Sequence, residues 1–290
     1  MICTVFHSAK GILMLSDDEK WFFDLQGYLI LKQVVSPEQV RRMVELCDSW
    51  HALSEANLPP PLSSYEDPAT NPKAARAILD PEYADPEFDR LILNQGIMRA
   101  VLDITDYSPQ HLLTALTLNT TESEDINLHN GASGVIRNPA NDYQAGDGRV
   151  FATFLNAAIS LVDVPSGAGF VCIPGSHKSY FDRPENINIR TGPPTVVNIT
   201  VNAGDALLFT EALCHGALPW TCSSEPRRTV FLRYSTSYAS WSPGVGPKEE
   251  YKDKISEEVY QMKQQWGFQG KKPVVERLIK EIGKAPEATL

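Results

Sequence analysis

Between residues 112 and 236 the chain passes through eight short segments rich in Val, Ile, Leu, Phe and Thr, parted by clusters of Gly, Pro, Asn and Asp. This succession constrains the fold more than any other feature. Segments of this length bounded by turn residues predict strands over 112–119, 126–131, 150–162, 169–173, 196–201, 206–210, 213–218 and 229–236. Eight short strands in a row suggest a jelly roll of the cupin kind, a double-stranded β-helix.

Helices flank the β region. Ser16-x-x-Glu19 and Ser36-Pro37-x-Gln39 are capping boxes, each ahead of an apolar run. After the second, Val40, Met43, Val44 and Cys47 recur at helical spacing while Arg41, Arg42 and Glu45 face water. Gly27 to Lys32 between them reads as a short strand. Residues 57–75 hold five prolines and predict an irregular surface segment placed to cover a site. A further helix is expected over about 87–103, and the tail over 248–283 returns to helix. The expected organisation is one mainly β domain with flanking helices over 1–290: a helical part and lid over 1–111, the double-stranded β-helix over 112–236, and a helical tail over 237–290.

Charge and cysteine content narrow the function. A net charge of −10 argues against nucleic acid, which needs clustered cations to replace phosphate counterions. It also disfavours a long polyanionic substrate such as a coenzyme A thioester. Five scattered cysteines without a CxxC pair suit a reducing compartment rather than a disulfide framework or zinc knuckle. No segment approaches a membrane span and no leader or peroxisomal ending is recognisable, so a cytoplasmic location is expected.

Two of the six histidines stand on predicted strands far apart: His129 in Ile126-Asn127-Leu128-His129, and His215 after Leu213-Cys214, 86 residues later. Distant strands meet across a β-helix, so both are candidate metal ligands, with a hydrogen-bonded structural role as the alternative. His7, His51 and His111 have no second ligand type nearby and receive no role. Gly216 after His215 is expected to let backbone pack close to the metal or substrate. Pro174-Gly175-Ser176 forms a turn, and His177 is expected to steady that loop. Strand alternation puts Arg227 and Thr229 on one face and Arg228 on the other. The alternative for the arginines is a surface pair.

Several motifs together resemble the phytanoyl-CoA dioxygenase-like family. They are Asp24-Leu25-Gln26-Gly27-Tyr28-Leu29-Ile30-Leu31, Leu161 to Gly169, Ile173-Pro174-Gly175-Ser176-His177-Lys178, and Ala203-Gly204-Asp205 leading to His215-Gly216; together they cover most of residues 16–240. The resemblance implies an Fe(II)/2-oxoglutarate-dependent oxygenase acting on a small molecule. His129 and His215 would hold Fe(II), and Arg227 would take the distal carboxylate of 2-oxoglutarate, with Thr229 adding a hydroxyl.

One position departs from that pattern. The facial triad of this chemistry has a carboxylate two residues after the first histidine, where this chain has Gly131. Chloride filling the vacant position implies halogenation. Alternatively Glu211 or Asp125, each four residues before a histidine, completes the triad and hydroxylation follows. The third alternative is a non-catalytic small-molecule or metal-binding protein of the same fold. Trp220, Tyr143, Phe154 and residues 57–72 are the candidate substrate-lining elements.

Overall fold

The computed structural model describes residues 14–65, 73, 75–130, 142–179, 181, 183–189, 195–239 and 245–283. Its framework is two antiparallel sheets. The larger holds β1 (Tyr28–Leu31), β11 (Ala206–Thr210), β8 (Phe154–Ser160), β13 (Arg227–Thr236), β4 (Pro109–Asn119), β3 (Arg76–Leu79) and β2 (Ser63–Tyr65) in that spatial order. The smaller runs β10 (Val197–Asn198), β9 (Gly169–Cys172), β12 (His215–Leu218) and β5 (Ile126–His129). The expected jelly-roll architecture is present.

The large sheet is buried on both sides, and strand alternation divides its side chains. Leu155, Ala157 and Ile159 of β8 and Val230, Leu232 and Tyr234 of β13 join the helix-side core. That core also takes Met43, Cys47 and Trp50 of α2 (Pro37–His51), Ile97 and Val101 of α4 (Gln95–Ile104), and Val275 and Leu278 of α6 (Pro273–Ile282). Ala158, Leu207 and Phe209 point the other way, toward Phe170 and Cys172 of the small sheet. At about 25 cal/mol per Å² of apolar surface, these two cores supply most of the folding drive, and the candidate residues Arg227 and Thr229 border the second.

Both expected capping boxes form. Ser16 and Glu19 start α1 (Asp17–Gln26), and Ser36 and Gln39 start α2. The first helix stops at Gly27, whose φ of 82° suits glycine; a Cβ there would stand 2.5 Å from His177 Nδ1. The expected helix over 87–103 is two, α3 (Pro86–Ile92) and α4, because the Asn94 side chain accepts from the Ile97 N–H and begins a new helix. The tail contains a 3-10 segment before α5 (Glu257–Lys263) and α6.

Other elements differ from expectation. The proline-rich segment contributes β2, and with β3 it extends the edge of the large sheet beside β4. Residues 150–162 divide at Thr153 into β7 (Arg149–Ala152) and β8. An unexpected strand, β6 (Tyr143–Gly146), pairs with β7 across Asp147-Gly148, both at positive φ as a two-residue hairpin turn requires. No helix among the described residues is long and apolar enough to cross a membrane.

Candidate metal and cosubstrate site

His215 opens β12, where it is the register partner of His129 on β5, and the two rings lie 4.4 Å apart between centroids. Gly216 makes this possible. A Cβ at Gly216 would lie 2.4 Å from the Ile126 carbonyl oxygen, so a side chain would force the strands apart just where the pairing register shifts. The expected close approach is therefore to the backbone of β5.

Each histidine is oriented by its own strand. His129 Nδ1 lies 2.9 Å from the Asn127 carbonyl oxygen, and His215 Nδ1 lies 2.7 Å from that of Leu213. A carbonyl only accepts, so Nδ1 carries a proton in both rings and Nε2 is the atom left to face a metal. His215 is 8% exposed and stacked on Phe170. Burial, then repulsion from His129 and Arg233, holds its pKa down to about 3 against the support of the Leu213 carbonyl. The ring is neutral at physiological pH, the form that binds a metal.

Glu211 brings a carboxylate up to the two histidines. It stands in the turn between β11 and β12, and its ligand atom and those of His129 and His215 all lie within 4.8 Å of one another. Its backbone N–H donates to the Phe154 carbonyl at 3.1 Å, and Oε2 accepts from Asn156 Nδ2 at 2.6 Å. Among the described residues this is the one convergent ligand set. Asp125 does not join it, and Gly131 lies outside the described residues.

Deeper between the sheets lie Arg227 and Thr229. They line one cavity with Ser160, Val164, Leu207 and Phe170, and Phe170 also stacks on His215, so the cavity adjoins the histidines. Arg227 Nε and Thr229 Oγ1 are buried without a hydrogen-bond partner among the described residues. Burial alone lowers the Arg227 pKa to about 10, leaving it charged at neutral pH. A buried cation and hydroxyl with no acceptor carry a desolvation cost that an incoming carboxylate removes. Gly169 leaves room at this spot, since a Cβ there would crowd Val164 at 2.7 Å and reach Arg227 Cζ at 3.6 Å. Arg228 points to the opposite face, where Nε and Nη2 bond Asp48 at 2.7 and 2.9 Å and tie α2 to β13.

The remaining candidates have structural surroundings. His177 Nε2 donates to the Asp24 carbonyl at 3.1 Å, and Tyr143 donates its hydroxyl to the Asp24 carboxylate at 2.7 Å while its ring packs edge-on to His177. Trp220 is buried in the core between the sheets, and Phe154 is buried in β8. His51 bonds the Cys47 and Arg76 carbonyls, and His111 is enclosed beside Thr114. Asn156 was not singled out from the sequence. A lone amide within the apolar run Phe-Leu-Asn-Ala-Ala-Ile is the signal that marks it.

Two imidazoles and a carboxylate around one point, backed by an arginine whose buried Nε has no partner among the described residues, fit the donor set and cosubstrate seat of mononuclear non-haem iron oxygenases. Residues 23–229 match the family model described as phytanoyl-CoA dioxygenase, and the chain belongs to that family. With it comes oxygenase-type chemistry dependent on Fe(II) and 2-oxoglutarate. Among solved structures, HygX from Streptomyces hygroscopicus with nickel and 2-oxoglutarate bound is similar at a TM-score of 0.66 and 23% identity, covering 78% of this chain and 89% of that one. A further HygX structure contains hygromycin B as well. SnoN, an epimerase from nogalamycin biosynthesis, is similar at a TM-score of 0.55 and 16% identity over 79% of this chain and 90% of its own. The non-haem monooxygenase ThoJ in a nickel complex has a TM-score of 0.56 and 14% identity, over 78% and 80%. The comparison with curated proteins finds no match.

Proposed function

We propose that the chain hydroxylates a C–H bond of a small-molecule substrate, with His129, His215 and Glu211 as the Fe(II) ligands and Arg227 with Thr229 as the seat of the distal carboxylate of 2-oxoglutarate. The convergence of Glu211 with the two histidines carries this reading. Iron with 2-oxoglutarate and dioxygen supplies an oxidant able to attack an unactivated C–H bond. The protein's own work is positional. Asn127 and Leu213 carbonyls fix the imidazole tautomers, Phe170 and Phe209 close around His215, and Arg227 sets the depth of the cosubstrate.

Support for hydroxylation over halogenation comes from Glu211, a protein carboxylate that converges on the two histidines and could take the place of a halide. The unpartnered Arg227 Nε and Thr229 Oγ1 call for a ligand in an enzyme and a binding protein alike, and the convergent iron-type ligand set is what favours the enzyme. The test is succinate release from 2-oxoglutarate with Fe(II) under air, run with and without chloride. Succinate formation that ignores chloride is the expected result. Dependence on chloride would restore the halogenase reading, and no succinate under any condition would leave a binding protein.

A further inference from the structure

We infer that Asn156 is the residue that positions Glu211 for metal binding. The inference rests on the triad proposed above and adds what makes a carboxylate from this unusual place usable.

Glu211 sits in a turn, not within a strand, and a glutamate has three side-chain torsions to fix. Its backbone is anchored to β8 by the bond to Phe154. Among the described residues, the hydrogen bond that holds the carboxylate comes from outside the turn. Asn156 donates it: the residue is 2% exposed, on the central strand β8 between β11 and β13, where it is the register partner of both Phe209 and Arg233. Interior neighbours on its face of β8 are Ala158 and Ser160. A buried amide in such a row costs free energy unless it is hydrogen-bonded, and its Nδ2 is spent on Glu211 Oε2 at 2.6 Å. The amide nitrogen is a donor only, so it marks one edge of the carboxylate and leaves the other oxygen unclaimed by this bond. A short side chain on a strand paired on both sides is a stiffer support than the turn, as a ligand's outer partner must be.

The experiment titrates the apo protein with Co(II), reading affinity and the visible ligand-field spectrum without turnover. Glu211→Gln tests the triad; Asn156→Leu and the near-isosteric Asn156→Asp test the positioning; Asn156→Leu/Glu211→Gln measures their coupling. Outer partners of metal ligands are worth about ten- to a hundredfold in metal affinity. The expected result is a loss of that size with an altered spectrum in both Asn156 variants, and no further loss when Asn156→Leu is added to Glu211→Gln. A purely structural role would give losses that multiply in the double variant. Asn156→Asp preserves the volume and serves if Asn156→Leu does not fold. Wild-type Co(II) affinity and spectrum in Asn156→Asp, or multiplying losses, overturn the inference. Unchanged Co(II) binding in Glu211→Gln overturns the triad itself.

Discussion

Arg227→Met separates the cost of an empty seat from the gain of filling it. Burial lowers the pKa of Arg227 to about 10 with no counter-charge nearby. At 1.36 kcal/mol per tenfold change in proton affinity, that is about 3 kcal/mol of lost solvation in the ligand-free protein at neutral pH. The sign follows from the cause. A base whose folded pKa is depressed destabilises the fold wherever it remains charged, which covers the whole range below pH 10. Methionine fills much of the same volume without the charge, so the ligand-free variant is expected to melt at the wild-type temperature or above. Cosubstrate binding moves in the other direction. Truncating one partner of a buried charge pair costs about 2–4 kcal/mol. With inert Ni(II) and 2-oxoglutarate at a hundred times the wild-type dissociation constant, wild-type protein gains about 2.7 kcal/mol, roughly a 4–5 °C rise in melting temperature. At the same concentration the variant gains below about 1 kcal/mol. Scanning calorimetry with and without 2-oxoglutarate measures both effects. Arg228→Met is the control: it loses the Asp48 ion pair and some stability, yet keeps the 2-oxoglutarate shift. Equal loss of the shift in both variants, or a clearly destabilised ligand-free Arg227→Met, refutes the reasoning.

Gly216→Ala places a methyl 2.4 Å from the Ile126 carbonyl oxygen, so β5 must move and carry His129 with it; Co(II) affinity is expected to fall by at least about tenfold while far-ultraviolet circular dichroism stays unchanged. Lys272 is buried with Nζ donating to the Pro109 and Met262 carbonyls at 2.9 Å each, and burial lowers its pKa to about 7. Above that pH the unfolded chain binds a proton the folded one does not, so its contribution to stability rises with pH between about 7 and 10. Urea titrations across that range should show a slope that Lys272→Met lacks.

What the sequence discloses depends on whether a signal is local. The caps of α1 and α2 and the opposed faces of Arg227 and Arg228 follow from neighbouring residues, and they stand as expected. Asp147-Gly148 was an equally local hairpin signal, and with it β6 was within reach. Strands β2 and β3 were not, because a few residues in and beside a proline-rich stretch acquire strand geometry only by pairing, β3 with β4 and β2 with β3 at the edge. The carboxylate shows the limit most sharply. Even spacing offered Asp125 and Glu211 alike, and the choice between them depends on how the β11–β12 turn packs against β8, which no spacing rule contains.

That packing gives the metal a mechanical role. Both histidines belong to the small sheet, whereas Glu211 is bound through its backbone and its side chain to β8 of the large sheet. An ion held by all three therefore joins the sheets, and its binding free energy stabilises their contact. An ion held by the histidines alone tightens only the β5–β12 pair. Amide hydrogen exchange distinguishes these cases: Ni(II) should slow exchange in β8 and β11 as well as β5 and β12 in the wild-type protein, and in β5 and β12 alone in Glu211→Gln. Equal protection of β8 and β11 in both proteins would mean that the carboxylate is not the link between the sheets, whatever its distance from the histidines.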